Sequence, residues 1–109
     1  MLHVVLFKPR PGLARADRDA LVAAFERATR EIPTVRGARV GRRVRHGAGY
    51  ETTSPDLADY AAIIEFDDLA GLQTYLRHPA HQELGELFGT TCSSALVYDV
   101  EEGTLDEMN

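Results

Sequence analysis

Tyr75 and His81 are the two side chains whose types and spacing best suit acid–base chemistry in this sequence. An imidazole has an ordinary pKa near 6.5 and accepts a proton at neutral pH, whereas a phenol, with a pKa of about 10, remains a donor. Together they suit removal of a proton next to a carbonyl group, as in the aldol closure of a β-keto chain. The alternative interpretation is structural, with His81 a hydrogen-bonded core histidine and Tyr75 a packing residue.

A strand and a short helix lead up to this pair. The apolar, β-branched run from Tyr60 to Asp67 is typical of a strand. Asp67 and Asp68 then offer a cap for a helix whose apolar stripe consists of Leu69, Leu72 and Leu76. Tyr75 lies one turn and a break before His81, so a pocket between the sheet and the helices can hold both side chains.

Pro79 separates this helix from a second one. Proline cannot continue a helix, because it lacks an N–H to donate, but it suits the first helical position. In the second helix His81, Leu84 and Phe88 share one face, which predicts that His81 points inward and is at least half hidden. His78, at the junction, is expected to be exposed or to help cap the second helix.

Other kinds of chemical site have little support in the sequence. His78 and His81 have the spacing of a ligand pair, but Pro79 reorients the chain between them. Glu83 is the one further ligand nearby, so no metal site is predicted. The sequence has no glycine-rich phosphate loop and no nucleophile elbow, and no cofactor is expected.

Composition and charge narrow the class of protein. The chain has 109 residues, 44% of them hydrophobic, which fits one globular domain. A net charge of −5 argues against a nucleic-acid partner, because no basic field gathers phosphates. A local basic run is better explained as the solvated face of a strand than as an anion site; it consists of Arg36, Arg39, Arg42, Arg43 and Arg45.

The single cysteine and the absence of a long apolar segment favour a cytoplasmic protein. Cys92 has no partner for an internal disulfide, so we expect the protein to reside in a reducing compartment. We expect Cys92 itself to be a small buried residue of the core. The run Leu2 to Phe7 is too short to span a membrane, and no basic segment precedes it as in a signal peptide. We therefore expect no membrane partner.

The rest of the chain alternates strands and helices. Further strands are predicted over Leu2–Lys8, Val35–Arg45 and Ser94–Val100. A helix capped by Asp17 is predicted to end before Pro33. The longest loop runs from His46 to Asp59, and an acidic stretch, residues 101–109, is expected to be a flexible tail after a domain of residues 1–100.

The order β-α-β-β-α-β predicts an α+β, ferredoxin-like fold, a four-stranded antiparallel sheet with its helices on one face. The first and third predicted strands are nevertheless apolar on both faces, as expected of strands that are covered on both sides. A second copy of the sheet is the simplest cover for the face without helices. We therefore expect a homodimer.

Short motifs in this order resemble one known family, the stress-responsive α/β-barrel domain, often called Dabb. They are the strand end Glu65-Phe66-Asp67, the short helix to Tyr75, the run His78-Pro79-Ala80-His81 and the first strand His3-Val4-Val5-Leu6-Phe7-Lys8. The resemblance covers roughly residues 2 to 100. It implies a dimeric α+β barrel. Some plant relatives are polyketide cyclases that use a Tyr and a His without a cofactor, and Tyr75 and His81 match that pair.

Two kinds of function follow from the pair and the resemblance. One is a cofactor-free cyclase, lyase or isomerase, and the other is a non-catalytic binding protein of stress response or secondary metabolism. Related barrels include haem-degrading and cofactor-free monooxygenases, whose pockets typically carry a Trp, and this sequence has none. A haem-binding role for His81 is therefore the weaker alternative.

The expected ligand is a small apolar or aromatic molecule with a carbonyl or a phenol. We expect its pocket to be floored by the sheet and gated by the His46–Asp59 loop. The side chains expected to bind it, besides the catalytic pair, are His3, Val5, Phe7, Tyr60, Leu84 and Phe88.

Overall fold

The structure, a computed structural model, describes residues 1–108. Two short 3₁₀ turns, at Gly49–Thr52 and Leu105–Glu107, accompany the main elements. The strands and α-helices of this part of the chain are β1 (Leu2–Pro9), α1 (Arg15–Glu31), β2 (Gly37–Arg42), β3 (Tyr60–Glu65), α2 (Leu69–Arg77), α3 (Pro79–Thr91) and β4 (Cys92–Val100).

The four strands form one antiparallel sheet in the order β2-β3-β1-β4. β1 lies inside the sheet, where Val5 stands opposite Ala62 of β3 and Val97 of β4. β2 and β4 form the two edges. The prediction of an α+β, ferredoxin-like fold is confirmed.

The alternation of side chains along β1 gives the sheet two different faces. His3, Val5 and Phe7 are buried under the helices. Leu2, Val4 and Leu6 point to the other face and are half-buried. β1 therefore has apolar side chains on both faces of the sheet, but the helices cover only one of these faces and leave the other open. We call this second surface the open face.

Side-chain caps define where α2 and α3 begin. The Asp68 carboxylate accepts the Gly71 N–H at 2.9 Å and caps α2, as the sequence predicted. Pro79 occupies the first turn of α3, and His78 Nδ1 accepts the Ala80 N–H at 3.0 Å. The prediction that His78 helps to cap the second helix is therefore confirmed.

The cap predicted for α1 is wrong. Helix α1 starts at Arg15, after Ala14, whose side chain makes no capping hydrogen bond. Asp17 lies instead in the first turn, where its negative charge faces the positive end of the helix dipole.

All four strands differ from their predicted bounds; β1 extends to Pro9 and β3 ends at Glu65. β2 covers Gly37–Arg42 and not Val35–Arg45, because only these residues stand opposite the residues of β3. β4 begins earlier than predicted, at Cys92, which is half-buried and not part of the buried core. No helix within residues 1–108 is both long and apolar enough to cross a membrane.

Candidate functional site

A cavity of about 280 Å³ lies between the sheet and the helices. We call it the Tyr75–His81 cavity. Its wall is mostly apolar, as is common for small-molecule sites. The sheet contributes His3, Val5, Ala62, Ile64, Ala95 and Val97, and the helices contribute Phe25, Tyr75, Leu76, His81, Leu84, Gly85 and Phe88.

Tyr75 and His81 meet across the break between α2 and α3. Their ring centroids are 4.7 Å apart. Tyr75 is 1% exposed, and its ring also contacts Phe66, whereas His81 is half-buried. Because Pro79 starts a new helix directly after the end of α2, the two side chains reach the same cavity although they belong to different helices.

The surrounding backbone fixes the tautomer of His81. Its Nδ1 lies 3.2 Å from the Leu76 carbonyl oxygen, which can only accept, so Nδ1 carries the proton. The Leu76 carbonyl is available because the Ala80 N–H is donated to His78 and not back along the helix. The neutral imidazole therefore has its lone pair on Nε2, where a base needs it.

Burial separates the proton affinities of the pair. Desolvation raises the pKa of Tyr75 to about 12. Desolvation also lowers the pKa of His81 below 6.5, and the nearby His3 lowers it further, while the hydrogen bond to Leu76 raises it. At neutral pH Tyr75 is thus held as a proton donor and His81 as a proton acceptor, the division of roles that acid–base catalysis requires.

These shifts predict how His81 titrates. We expect its midpoint to lie below 6.5, because burial disfavours the imidazolium in the folded state. The unfolded chain then binds more protons than the folded chain, so the stability from this group is present above pH 6.5 and is lost as the pH falls. NMR titration of the imidazole, with the urea-unfolded chain as reference, measures both midpoints, and a higher midpoint in the folded protein contradicts the prediction.

His3 is the third polar side chain of the cavity. It is 4% exposed, and its ring centroid lies 5.6 Å from that of Tyr75 and 6.3 Å from that of His81. Its Nδ1 is 2.6 Å from Oδ1 of Asp99, which stands directly opposite in β4. Asp99 was not among the site residues predicted from the sequence. Its sequence signal is a charged residue among alternate residues of β4 that share one face of the strand, namely Ala95, Val97 and Asp99.

The ligand-binding residues expected from the sequence divide between two cavities. His3, Val5, Leu84 and Phe88 line the Tyr75–His81 cavity, as expected. Phe7 and Tyr60 do not; their rings stack at 5.6 Å and line a neighbouring cavity of about 420 Å³ beneath α1. Phe7 and Tyr60 pair with each other at the opposite end of the β1–β3 ladder from His3, and Phe88 of α3 lines both cavities.

The prediction that the His46–Asp59 loop gates this cavity is wrong. The loop lies over the open face, where its residues and Leu6, Ala61 and Leu96 line a separate cavity of about 570 Å³. Hydrogen bonding to the end of β1 holds it there, since the Asp59 N–H donates to the Phe7 carbonyl at 2.9 Å. His46 and Tyr50 are exposed and contact each other at 3.0 Å.

The described residues offer limited means of holding a metal. Within residues 1–108 no three His, Cys, Asp or Glu side chains cluster closely enough to hold an ion. The arginines after β2 pair with carboxylates at the surface, where Arg43 and Arg45 both lie 3.3 Å from Asp56. The polar side chains that line the Tyr75–His81 cavity are its one phenol and its two imidazoles.

Solved structures with the same fold come from plants and bacteria. The Arabidopsis thaliana protein At3g17210 has a TM-score of 0.76 at 18% identity, covering 95% of this chain and 96% of that one. A hydroxynitrile lyase from Passiflora edulis has a TM-score of 0.74 at 17% identity, covering 94% of each chain. A Jannaschia protein described as dimeric, ferredoxin-like and of unknown function has a TM-score of 0.71 at 23% identity, covering 93% and 97%.

Sequence comparison supplies the family. No curated protein sequence matches this chain significantly. The family model of the stress responsive A/B barrel domain, Dabb, matches residues 1–102. The resemblance noted in the sequence is thereby confirmed, and the chain belongs to the Dabb family of stress responsive A/B barrel domains.

Proposed function

We propose that this protein is a cofactor-free acid–base enzyme, a cyclase, lyase or isomerase that acts on a small apolar or aromatic, polyketide-like carbonyl compound. The observation that carries the proposal is the meeting of Tyr75 and His81 at one apolar cavity, with His81 protonated on Nδ1. Membership of the Dabb family supplies the fold that holds them.

The proposed reaction begins with a proton transfer. Nε2 of His81 takes a proton from the carbon next to the carbonyl, and the C–H electron pair forms the enolate double bond. The carbonyl oxygen gains the negative charge and accepts a hydrogen bond from the Tyr75 hydroxyl. The enolate carbon then attacks a second carbonyl, and the new alkoxide takes the proton from the imidazolium. Alternatively, the enolate electrons expel a leaving group from the adjacent carbon, which departs with that proton, or the enolate carbon is itself reprotonated. Each route returns His81 to its neutral starting state.

The apolar wall assists both steps. Leu84, Phe88 and Ile64 line the space around the pair with apolar surface. In such surroundings a hydrogen bond to a developing oxyanion is stronger than in bulk water. The volume of about 280 Å³ suits one small molecule.

A neighbour with this fold supports the reaction class. The Passiflora edulis protein is a hydroxynitrile lyase, so the fold accommodates a lyase. At 17% identity this likeness shows the fold alone, and the assignment of roles to Tyr75 and His81 rests on their geometry.

A non-catalytic binding protein is the second candidate. The observation that favours it is the hydrogen bond from His81 to the Leu76 backbone, which a purely structural histidine also makes. In that case the cavity binds the same class of ligand, but no proton leaves it.

We also propose that the protein is a homodimer in the reducing cytoplasm. The open face exposes Tyr98 by 57% and Val100 by 43%, beside the half-buried Val4, Leu6 and Ile63. A stable interface buries on the order of 800 Å² per partner, which a sheet face can supply. Several neighbours with this fold are described as dimeric. The lone Cys92 suits a reducing compartment.

Deuterium exchange tests the proposed proton abstraction before the natural substrate is known. Phenylacetone in D₂O, followed by proton NMR, reports loss of the hydrogens next to its carbonyl. We expect the protein to accelerate this exchange above the buffer rate. The His46→Gln variant, altered in an exposed histidine over the open face, is the matched control and should exchange like the wild type.

The same experiment separates the two candidates. If titration shows that phenylacetone binds while its exchange stays at the buffer rate, the catalytic proposal is contradicted and the binding protein is favoured. Native mass spectrometry of the purified protein then identifies the molecule that it carries.

A further inference from the structure

The pairing of His3 with Asp99 leaves one imidazole nitrogen of His3 for the cavity. Asp99 is 41% exposed at its side chain, whereas the His3 side chain is 5% exposed, so the carboxylate reaches inward from the edge strand. The 2.6 Å distance between Nδ1 and Oδ1 is short, as in a charge-assisted hydrogen bond. An ionised carboxylate can only accept, which places a proton on His3 Nδ1.

The register of the sheet makes this pairing possible. His3 and Asp99 are direct partners in the β1–β4 ladder and point to the helix-covered face. His3 has no hydrogen-bond partner besides Asp99 among residues 1–108, so its Nε2 is available to a molecule in the cavity that it lines.

We propose that Asp99 is a positioning residue that holds His3 with Nε2 presented to the cavity, and that the site takes a carbonyl compound that also bears a hydroxyl group. This inference rests on the proposed function and names its substrate class. Tyr75 donates to the carbonyl oxygen, His81 Nε2 faces the acidic C–H, and His3 Nε2 accepts from the hydroxyl of the ligand.

The hydrogen-bonding inventory of the cavity leads to this ligand. Two imidazole acceptors, on His3 and His81, stand beside one phenol donor, on Tyr75. A ligand with a carbonyl alone satisfies Tyr75 but leaves His3 Nε2 desolvated and unpaired, which costs binding free energy. A hydroxyl on the same molecule pairs with it, so the cavity selects hydroxylated ketones over plain ones.

The tautomer of His3 is the first test, and it needs no ligand. Long-range ¹H–¹⁵N NMR distinguishes protonation at Nδ1 from protonation at Nε2. We expect Nδ1–H in the wild type and a shift toward Nε2–H in Asp99→Asn, because the Asn amide can donate to Nδ1. Glu101→Gln, at an exposed carboxylate just after β4, is the matched control and should leave the signal unchanged. Protonation of neutral His3 at Nε2 in the wild type overturns the proposal.

Two probe ketones form the second test. We expect meta-hydroxyacetophenone, whose hydroxyl can donate, to bind about tenfold more tightly to the wild type than meta-methoxyacetophenone, whose ether oxygen can only accept, the effect of roughly one hydrogen bond. In Asp99→Asn this preference should fall toward unity, because a protonated Nε2 can donate to the oxygen of either ketone. In Tyr75→Phe both affinities should fall together, since both ketones lose the donor.

The outcomes distinguish this inference from the proposed function. Equal binding of the two ketones to the wild type, or a preference that survives Asp99→Asn, overturns the inference. If phenylacetone exchange remains normal at the same time, the acid–base function stands without it. A loss of phenylacetone exchange in His81→Gln but not in Glu101→Gln assigns proton transfer to His81.

Discussion

In the His81→Gln variant we expect the exchange of ketone α-protons to slow by roughly 10²–10⁴-fold while the protein stays folded. Glutamine has no basic nitrogen, but its amide can still donate to the Leu76 carbonyl that His81 Nδ1 now contacts at 3.2 Å. The rate comes from the NMR exchange assay, and circular dichroism on the same sample reports the fold.

Tyr75→Phe tests the donor of the pair. The substitution removes only the hydroxyl and keeps the ring, which lies 5.1 Å from Phe66 and 5.6 Å from His3. Loss of one oxyanion donor typically slows catalysis by about 10²–10³-fold, and we expect a decrease of that order here. Tyr50→Phe, at a ring 65% exposed in the loop over the open face, is the control.

A structural role for the pair predicts the opposite result. The variants then lower only the unfolding free energy, because the packing of two buried side chains is disturbed, and the folded fraction keeps its ligand affinity. Thermal unfolding measured beside the exchange rate separates the two. A stable His81→Gln protein with wild-type exchange contradicts the catalytic role.

The second large effect concerns the proposed dimer. Val4 lies on the open face between Ile63 of β3 and Tyr98 of β4, and Val4→Glu places a carboxylate at the centre of this apolar surface. Breaking a buried apolar contact with an unpaired charge costs several kcal/mol, so we expect the dissociation constant to rise by at least about 100-fold. Sedimentation at micromolar concentration should then give the 12.0 kDa monomer and not a species of twice that mass.

Two comparisons make this result interpretable. Val22→Glu introduces the same charge at a half-exposed position of α1, away from the open face, and should leave the dimer intact. Tyr98→Lys changes a side chain that is already 57% exposed on the open face, so it should weaken the dimer without unfolding the protomer. A wild-type protein that sediments as a monomer contradicts the dimer outright.

Local patterns in the sequence determined the elements and the faces of this protein. Pro79 determined the break between α2 and α3, because it lacks the N–H that a continuous helix needs. The helical spacing of His81, Leu84 and Phe88 placed all three at one cavity. The alternation along β1 indicated two covered faces, and Asp68 was identified as a cap from its position before an apolar stripe.

Contacts between residues far apart in the sequence were decided by the tertiary structure alone. His3 and Asp99, 96 positions apart, meet because β1 and β4 pair with one particular register, which no local pattern specifies. Phe7 and Tyr60 were expected at the ligand-binding pocket, but the packing of α1 against the sheet places them at a second cavity. The face of the sheet that the His46–Asp59 loop covers likewise depends on a contact at the far end of β1, where the Asp59 N–H donates a hydrogen bond to the Phe7 carbonyl.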